Sequence, residues 1–444
     1  MQLVILGAGE SGVGAAILAK KKNIKVFVSD NGQIKQEYKK VLLQHDIKFE
    51  EGKHSSALIV KADEVIKSPG IPDRSAIIQE IRQKGIPVIS EIEFASRYTN
   101  ALKICITGSN GKTTTTLLIY HILKEAGLNV GLAGNIGKSF AWQVAENDFD
   151  YYVLEISSFQ LDGMYSFKAD VAVLMNITPD HLDRYENDFM NYVDSKFRII
   201  QNQTEVDAFI YCIDDKVIID ELSKRKVQSS LYPFSIFKSI DGKGAYLKEN
   251  ELIINIKENT ISMKLEDLAL QGKHNTYNSM AAGISSKLLE IRNVTIKQCL
   301  SDFQNIEHRL EKVANIHGVE FINDSKATNV NSVWYALEYV HKPVIWIVGG
   351  VDKGNDYSLL KNLIKTKVKA IVCLGVDNSK IYSAFADLVP TMVETQNMKE
   401  AVNIAYQLGE QDDVVLLSPA CSSFDLFENY KDRGNQFKNA VKML

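Results

Sequence analysis

Short apolar runs alternate along the chain with stretches in which apolar residues recur at helical spacing. In the first hundred residues, the runs that predict strands are Leu3–Leu6, Val26–Val28, Glu64–Ile66 and Val88–Ile89. The stretch Gly12–Lys22 predicts a helix whose last turn is rich in lysine, which suits the negative end of the helix dipole. A second helix is predicted over Asp73–Lys84, before Gly85 and Pro87. This alternation is typical of a parallel sheet covered by helices.

The same alternation begins again twice. In a second segment the predicted strands are Lys103–Thr107, Tyr151–Ile156, Val171–Asn176 and Ala208–Ile213. Helices are predicted there over Thr113–Ala126 and Asn275–Leu289, and the turn-rich stretch Gly242–Met263 predicts short antiparallel strands. In a third segment the predicted strands are Lys312–Ile316, Val319–Ile322, Val344–Val348, Ala370–Leu374 and Val414–Leu417. We therefore predict an α/β protein of three domains, with residues 1–99, 100–305 and 306–444.

Composition narrows the classes of function. Lysine and arginine (51) nearly balance aspartate and glutamate (55), and the formal net charge of −4 does not favour a non-specific nucleic-acid binder. No apolar run approaches the ~20 residues that span a bilayer, and Met1–Leu6 indicates a strand and not a signal peptide. The five cysteines lack metal-type spacing, which is typical of reduced thiols. We expect a cytoplasmic monomer without membrane insertion.

The strongest chemical signal is the segment Ile104–Thr116, in which a strand runs through a glycine turn into a helix. Glycines let backbone N–H groups close around phosphate oxygens, and the helix N-terminus adds about half a positive charge. Lys112 can reach the β- and γ-phosphates of a nucleotide, and the Thr113 hydroxyl suits Mg²⁺. The general pattern GxxxxGK[ST] fails, because Ile106 stands at its first glycine. The residues expected to bind the triphosphate are Gly108, Ser109, Asn110, Gly111, Lys112, Thr113, Thr114 and Thr115.

Other residues carry weaker signals when each is taken alone. Glu155 ends an apolar strand, where open α/β sheets place their ligands, but a salt-bridged carboxylate is an equal alternative. His181 follows a strand and would commonly be a surface residue, and Lys196 would commonly be a solvated lysine on an amphipathic helix. Gly7–Gly12 matches the dinucleotide fingerprint GxGxxG, with Asp30 at the end of the next strand. This fingerprint leaves an NAD-linked dehydrogenase open as an alternative.

Taken together, these motifs resemble those of the Mur ligases and their folylpolyglutamate synthetase relatives. TGSNGKTT is similar to the shortened phosphate loop of that family, and Glu155, His181 and Lys196 match its ELSSFQL, NxxxDHxDR and following lysine. The resemblance implies a Rossmann-like N-terminal domain, a central P-loop ATPase-like domain with a mainly parallel sheet, and a Rossmann-like C-terminal domain. It also implies ATP as a substrate, and it implies that the catalytic residues are Lys112, Glu155, His181 and Lys196. Mg²⁺ is then expected at Thr113, Glu155, His181 and Lys196, with the lysine carbamylated because an ammonium cannot ligate a cation.

The resemblance extends to further ligand-binding positions. Those that it implies for ATP are Asn275, Asn278, Arg309, Asp324 and Lys326. Those that it implies for a UDP-linked substrate are Ser11, Asp30, Ser68, Gly70, Asn135 and His181. Those that it implies for an amino-acid substrate are Thr328, Lys353, Ser423 and Tyr430. Two positions depart from the family pattern: Gly32 replaces a basic residue near the expected uracil contact, and Tyr430 stands where phenylalanine is usual.

The segment Asp324–Asn329, DSKATN, resembles the D-glutamate-adding members of the family. The implied reaction joins D-glutamate to UDP-N-acetylmuramoyl-L-alanine through an acyl phosphate, with release of ADP and phosphate, in peptidoglycan precursor synthesis. The expected partners are these small molecules and no nucleic acid. A folylpolyglutamate synthetase-like ligase is the alternative within the superfamily, and the NAD-linked dehydrogenase is the alternative from another class.

Overall fold

The computed structural model describes residues 1–256, 259–303 and 307–444, and within them the strands form three sheets. The chain forms two compact units, residues 1–303 with the first two sheets and residues 304–444 with the third. The predicted α/β fold, with a mainly parallel central sheet, is confirmed. The predicted boundary between residues 305 and 306 lies outside the described residues.

The first sheet is parallel throughout. Its strands are β1 (Gln2–Leu6), β2 (Lys25–Ser29), β3 (Lys48–Glu50), β4 (Glu64–Lys67) and β5 (Val88–Ile89). The helices of this part are α1 (Glu10–Lys21), α2 (Gln36–Gln44), α3 (Ser56–Ile59), α4 (Ala76–Gln83) and α5 (Glu91–Ser96). The strand order β3-β2-β1-β4-β5 makes β1 and β4 neighbours. The loops that follow these two strands therefore lie side by side at the carboxyl edge of the sheet.

The second sheet has the order β14-β13-β12-β11-β10-β9-β6-β8-β7. Its strands are β6 (Leu102–Thr107), β7 (Val130–Gly134), β8 (Tyr151–Glu155), β9 (Val171–Leu174), β10 (Ala208–Cys212), β11 (Ser230–Ser235), β12 (Gly244–Lys248), β13 (Glu251–Ile256) and β14 (Asn259–Lys264). Its helices are α6 (Lys112–Glu125), α7 (Phe140–Glu146), α8 (Ser158–Leu161), α9 (Phe189–Phe197), α10 (Lys216–Leu222), α11 (Lys273–Leu288) and α12 (Asn293–Asp302). Within the described residues of this sheet, antiparallel pairing is confined to β12, β13 and β14, as the turn-rich stretch predicts.

The third sheet has the order β15-β16-β20-β17-β18-β19. Its strands are β15 (Glu311–Ile316), β16 (Val319–Asn323), β17 (Val344–Gly349), β18 (Val368–Leu374), β19 (Thr391–Thr395) and β20 (Val414–Ala420). Its helices are α13 (Val330–Tyr339), α14 (Lys361–Lys367), α15 (Ser379–Phe385), α16 (Met398–Leu408) and α17 (Tyr430–Val441). Helices α13 to α15 cover one face, and α16 and α17 cover the other. The winding reverses where β20 inserts beside β17, which is where open α/β sheets bind ligands.

Four strands were not predicted: β3, β7, β11 and β19. Three of them are short or contain residues that strands usually avoid, since β3 has only three residues, β7 contains two glycines and β11 contains Pro233. Strand β19 has neither feature. The predicted start of α4 at Asp73 is wrong, because the chain is still extended at Ser75, with ψ of 141°. Helix α1 begins at Glu10, two residues before its predicted start.

The five cysteines are free and buried, as the sequence predicts. Burial raises the pKa of each thiol above its ordinary value, so they behave as neutral parts of the cores. No helix in the described part of the chain is both long enough and apolar enough to cross a membrane.

Two buried glutamates of α5 bind loops and helix starts in the part of the chain that forms the second sheet. Glu93 accepts hydrogen bonds from the backbone N–H groups of residues 165–167. Glu91 accepts hydrogen bonds from Oγ of Ser139 at 2.7 Å and from the backbone N–H of Ala141. Helix α1 also packs against α7. These contacts hold the first two sheets together in one compact unit.

The pKa of Glu91 makes the stability of this junction depend on pH. Glu91 is 4% exposed, and burial raises its pKa from 4.5 to about 7. The folded protein keeps a proton that the unfolded chain loses in this range, so the free energy of unfolding falls as the pH rises from about 4.5 to 7. Glu91→Gln keeps an acceptor oxygen for Ser139 but cannot titrate. We therefore expect its free energy of unfolding, relative to that of the wild type, to be about 3 kcal/mol higher at pH 8 than at pH 5. Denaturant unfolding at both pH values measures this gain, and a constant difference would contradict it.

Candidate active site

The phosphate loop connects β6 to α6, as the sequence predicts. Helix α6 begins at Lys112, and Gly111 before it has a left-handed φ of +82°. Glycine is required there because side chains rarely adopt this φ, and because a Cβ atom would lie 2.6 Å from Oδ1 of Asn278. Thr113 and Thr115, in the first turn of the helix, are buried. The loop therefore presents its backbone at a helix N-terminus, a geometry that suits phosphate oxygens.

Asn275 and Asn278, predicted on one face of a helix, lie on α11 and reach the helix that follows the phosphate loop. Oδ1 of Asn278 accepts a hydrogen bond from Oγ1 of Thr115 at 3.1 Å, and Nδ2 of Asn278 donates to Oδ1 of Asn275 at 3.0 Å. The Asn275 amide donates in turn to the carbonyl of Gln271 at 2.9 Å. Because both asparagines are buried, this series of bonds fixes α11 against the first turn of α6.

The segment that follows β9 holds the phosphate loop from the other side. The amide of Asn176 forms two bonds with the backbone of Asn110, one to its N–H (2.8 Å) and one to its carbonyl (3.1 Å). Oγ of Ser109 donates to the carbonyl of Thr178 at 2.8 Å and lies 3.0 Å from the hydroxyl of Tyr192. Asn176 stands first in the NxxxDHxDR match but was not predicted as a site residue, and Tyr192 was missed because it has no spacing that marks it as part of a site.

Two lysines donate to one carbonyl of the phosphate loop. Nζ of Lys112 lies 2.7 Å and Nζ of Lys196 lies 2.9 Å from the carbonyl oxygen of Gly108. Lys196 also donates to Oγ1 of Thr107 and is only 2% exposed, so the alternative of a solvated lysine is wrong. Burial lowers the pKa of Lys196 well below its usual range, and the charge of Lys112 lowers it further. The surroundings of Lys196 therefore favour a neutral amine.

Glu155 ends β8 at the edge of the sheet where the phosphate loop begins. It is 1% exposed, and in the parallel ladder it lies opposite Ile106 of β6. Its Oε1 accepts a hydrogen bond from the side-chain amide of Asn135 at 2.7 Å, and its carbonyl accepts one from the backbone N–H of Asn135 at 2.8 Å. Asn135, predicted to bind substrate, thus also orients the acid. Among the described residues, no group of three or more His, Cys, Asp or Glu side chains could hold a metal ion.

His181 lies in a turn after β9 with an unusual backbone conformation. Its φ of +54° is left-handed, which is uncommon for a residue with a side chain. Its ring packs edge to face against that of Phe159, with centroids 5.2 Å apart, and Nε2 lies 3.7 Å from Oδ2 of Asp180. The side chain is 34% exposed, so a ligand can reach it.

Two loops at one edge of the first sheet carry residues predicted to bind the UDP-linked substrate. Gly7 has a φ of +93°, and a Cβ atom there would lie 2.5 Å from Oγ of Ser68, so the close approach of the loops requires glycine. Asp30 organises the first loop, since Oδ2 accepts from the N–H of Ala8 at 2.6 Å and Oδ1 from the N–H of Gly32 at 2.8 Å. Gly32, which departs from the family pattern, thus contributes through its backbone.

The DSKATN segment follows β16 in the C-terminal unit. Asp324 is buried, and its Oδ2 accepts a hydrogen bond from Oγ of Ser418 at 2.8 Å. Burial raises the pKa of Asp324 to about 7, although the charge of Arg309 opposes this shift. Nζ of Lys326 lies 5.2 Å from the ring centroid of Tyr430. The structure therefore brings Asp324 near Arg309 and Lys326 near Tyr430, as two pairs of predicted site residues.

The residues predicted for the amino-acid substrate follow the carboxyl ends of three neighbouring strands or begin the last helix. Thr328 is half-buried after β16, Lys353 is exposed after β17, and Ser423 is buried after β20. Tyr430 is the first residue of α17 and is half-buried. Such loops at the switch point of a doubly wound sheet are suited to a small polar ligand.

Arg433 connects these three loops and was missed by sequence analysis. It is 1% exposed, and its guanidinium donates to the carbonyls of Ser325 (2.9 Å), Cys421 (3.2 Å) and Gly349 (3.4 Å). These carbonyls lie in or beside the segments after β16, β20 and β17. The residue stands in the segment ENYKDRG, but an arginine between polar residues on a helix gives no sign that it is buried.

Comparison with known proteins assigns the chain to a family. The MurD N-terminal domain matches residues 2–77, the Mur ligase middle domain matches residues 106–285, and the Mur ligase glutamate ligase domain matches residues 308–421. The chain therefore belongs to the Mur ligase family.

Relatives within that family match the chain along its whole length. The UDP-N-acetylmuramoylalanine–D-glutamate ligase of Bacteroides fragilis is 57% identical over 444 residues, which is 100% of both chains. The ligase of the same name from Christiangramia forsetii is 57% identical over 100% of this chain and 99% of its own. The structure of UDP-N-acetylmuramate–alanine ligase from Thermotoga maritima has a TM-score of 0.64 at 17% identity, over 100% of this chain and 99% of its own, and thus shares the fold. The predicted family is confirmed.

Replacement of Arg433 tests whether one buried guanidinium holds the three loops. Arg433→Lys keeps the charge but loses the planar fork, and Arg433→Met leaves the carbonyls of Ser325 and Cys421 without their donors. We expect the free energy of unfolding of the C-terminal unit to fall by about 3 kcal/mol for methionine and by less for lysine, as measured by hydrogen exchange in the full-length protein. Lys442→Met, at the exposed end of α17, is the control and should change it by less than about 0.5 kcal/mol. Equal protection in Arg433→Met and wild type would contradict the role.

Proposed function

We propose that this chain is an ADP-forming ligase that uses ATP to join D-glutamate to UDP-N-acetylmuramoyl-L-alanine. Its full-length identity of 57% to ligases of that name supports the choice of substrates. The structural observation that carries the proposal is the convergence of Lys112 and Lys196 on the phosphate loop, with Glu155 at the end of the neighbouring strand. An NAD-linked dehydrogenase would have no use for these three groups, so that alternative is dropped.

The triphosphate of ATP is assigned to the loop that precedes α6. Backbone N–H groups at the start of the helix bind phosphate oxygens, and Lys112 stabilises the charge of the phosphoryl group during its transfer. Asn275 and Asn278 are assigned to the nucleoside end, because their amides connect α11 to the first turn of α6.

The residues at this edge of the sheet fit a divalent cation. Mg²⁺ usually binds one or two protein carboxylates and completes its octahedron with water and phosphate oxygens, so it needs no large cluster of protein ligands. Glu155 supplies a buried carboxylate, and Thr113 supplies a hydroxyl at the start of α6. We assign the ion to these two residues together with His181 and Lys196. When bound, it would neutralise negative charge on the phosphates.

Lys196 can take part in metal binding only as a carbamate. An ammonium has no lone pair for a metal, whereas a lysine carbamate presents two oxygens as a carboxylate does. Carbamylation requires the neutral amine, which attacks CO₂ and loses a proton. Because burial and the neighbouring Lys112 lower the pKa of Lys196, the surroundings favour the form that reacts.

The reaction proceeds through two displacements. The alanyl carboxylate attacks the γ-phosphorus of ATP, the bond to the bridging oxygen breaks, and ADP leaves, which gives an acyl phosphate. The neutral amine of D-glutamate then attacks the acyl carbon and loses a proton, and phosphate leaves from the tetrahedral intermediate. Phosphoryl transfer depends mainly on positioning and electrostatic stabilisation, which Lys112 and the backbone of the loop provide.

The other two substrates are assigned to loops at sheet edges. The residues proposed for the UDP-linked substrate are Ser11, Asp30, Ser68, Gly70, Asn135 and His181. The residues proposed for D-glutamate are Thr328, Lys353, Ser423 and Tyr430, which lie in or beside the loops that Arg433 connects. Since ATP and a UDP-linked sugar are metabolites of the cytoplasm and one chain carries every proposed site residue, we also infer a cytoplasmic enzyme that works as a monomer.

The proposed reaction is tested by release of phosphate from ATP in the presence of UDP-N-acetylmuramoyl-L-alanine. We expect release with D-glutamate, and much less when D-glutamate is withheld or replaced by its L-enantiomer. Mass spectrometry of the product should show the added glutamyl residue. Turnover with L-glutamate but not with D-glutamate would defeat the specific assignment.

Lys112 should act on the transferring phosphoryl group more than on nucleotide binding. We expect Lys112→Met to lower kcat by about two to three decades, because a few kcal/mol of transition-state stabilisation are lost. Steady-state kinetics at saturating ATP measures this loss. Lys124→Met, at the far end of α6, is the control and should keep kcat within about twofold. A kcat for Lys112→Met equal to that of the control would contradict the role.

Carbamylation of Lys196 predicts that ¹³C-labelled bicarbonate introduces one carbamate signal in the NMR spectrum of the protein. We expect Lys196→Arg to lose this signal and the activity together. Lys168→Arg serves as a matched control, because Lys168 is a partly exposed lysine that pairs with Asp170 and Asp207, and it should retain both. An active wild-type enzyme without the signal would show that Lys196 works unmodified.

A further inference from the structure

Arg184 connects parts of the candidate active site that come from different sheets. It lies three residues after His181, in the segment that follows β9. Its guanidinium donates to three successive carbonyls of the loop after β4, namely those of Pro69 (3.1 Å), Gly70 (3.4 Å) and Ile71 (3.3 Å). A side chain from the segment after β9 of the second sheet thus holds the loop after β4 of the first sheet.

These hydrogen bonds determine which backbone polar groups of the loop point away from Arg184. The described residues contain no cis peptide bond, so the C=O and N–H of each peptide unit point in opposite directions. Because the carbonyl of Pro69 faces Arg184, the N–H of Gly70 points away from it. A Cβ atom at Gly70 would meet no other atom within 4 Å, so there is space around this residue for a ligand. On the side away from Arg184, the loop therefore presents the N–H of Gly70, which can donate to an anion, and not a carbonyl, which would repel it.

A second cation holds the same turn. Nζ of Lys67 donates to the carbonyl of Ile71 at 3.0 Å, and it lies 3.5 Å from Oδ1 of Asp73. Lys67 is itself buried, with 8% of its surface exposed. Two cations that bind one carbonyl oxygen fix the turn more firmly than a single neutral bond would.

The Arg184 side chain is also connected to His181, through the ring of Phe159. The guanidinium carbon lies 4.4 Å from the ring centroid of Phe159, and the same ring packs edge to face against His181 at 5.2 Å. Tyr185 stacks on Phe159 with centroids 6.0 Å apart. The position of the substrate loop is thus coupled through Arg184 and one aromatic ring to that of His181.

We propose that Arg184 is a positioning residue for the diphosphate of the UDP-linked substrate, an inference that rests on the proposed function. It turns the carbonyls of residues 69–71 away from the ligand, which leaves the N–H of Gly70 for a phosphate oxygen. It also sets this loop at a fixed position relative to His181. Arg184 itself binds protein carbonyls and not the substrate.

The test compares Arg184→Gln and Arg184→Lys with the wild-type enzyme. We expect both variants to raise KM for the UDP-linked substrate and Kd for UDP, measured by calorimetry, by about tenfold or more, because the fork that holds three carbonyls is lost. KM for ATP should stay within about twofold. Unchanged KM and Kd for the UDP ligands would overturn the proposal, and so would an equal rise in KM for ATP.

Arg198→Lys is the matched control for a purely structural effect. Arg198 also donates to a backbone carbonyl, that of Leu161 at 2.8 Å, and lies over the ring of Tyr165 at 5.5 Å. It does not contact the loop after β4 in any bond of the described residues. Arg198→Lys can lower the unfolding temperature as much as Arg184→Lys does, but it should leave Kd for UDP within about twofold. An equal loss of UDP affinity in the control would assign the effect to general destabilisation and overturn the proposal.

A double-mutant cycle with Ser68→Ala tests whether Arg184 acts through the loop. If it does, Ser68→Ala should cost less UDP affinity in Arg184→Gln than in the wild type, whereas additive losses would overturn the proposal. Failure of the proposed reaction can be distinguished from failure of the proposal for Arg184. A wild-type protein that binds UDP but does not turn over defeats the proposed reaction, while the comparison of Arg184 variants by Kd stands.

Discussion

The position of β6 between β8 and β9 is the constraint on which the candidate active site depends. In this parallel arrangement the end of β6 lies beside Glu155 on one side and the segment of Asn176 on the other. The phosphate loop is therefore held between two neighbouring strand ends. Lys196 and Lys112 then meet at the carbonyl of Gly108. Burial and then the charge of Lys112 lower the pKa of Lys196, so its environment favours the neutral amine.

Several charged side chains of the described residues bind backbone groups of separate segments. Glu91 and Glu93 accept from N–H groups where the first two sheets meet, and Arg184 and Arg433 donate to carbonyls of loops proposed to bind substrates. A buried charge is costly unless hydrogen bonds satisfy it, and bonds to peptide groups of separate segments satisfy it while fixing those segments. Loops that carry proposed ligand contacts are thus held by residues that need not touch a ligand.

Much of the fold follows from local patterns, and the exceptions have physical causes. The apolar runs of the main strands predict the parallel sheets, because strands buried on both faces need continuous apolar residues. Strands β7 and β11 do not show this pattern, because β7 contains glycines and β11 contains a proline. Within the candidate site, the loop before Lys112 and the Asn275–Asn278 pair are visible as spacings. Tyr192 and Arg433 are not, because a single polar residue on a helix has no spacing.

By itself, the sequence determined the α/β fold class, the phosphate loop and, through resemblance, the family, because each of these depends on residues that are close together in the chain. Only the tertiary structure decided that Lys196 is buried against the phosphate loop, that Asn135 orients Glu155, and that Arg184 and Arg433 hold the loops after β4 and β16. The partners in these contacts are distant in sequence. Burial and hydrogen bonding of a polar side chain depend on which segments fold around it, and no local pattern specifies that.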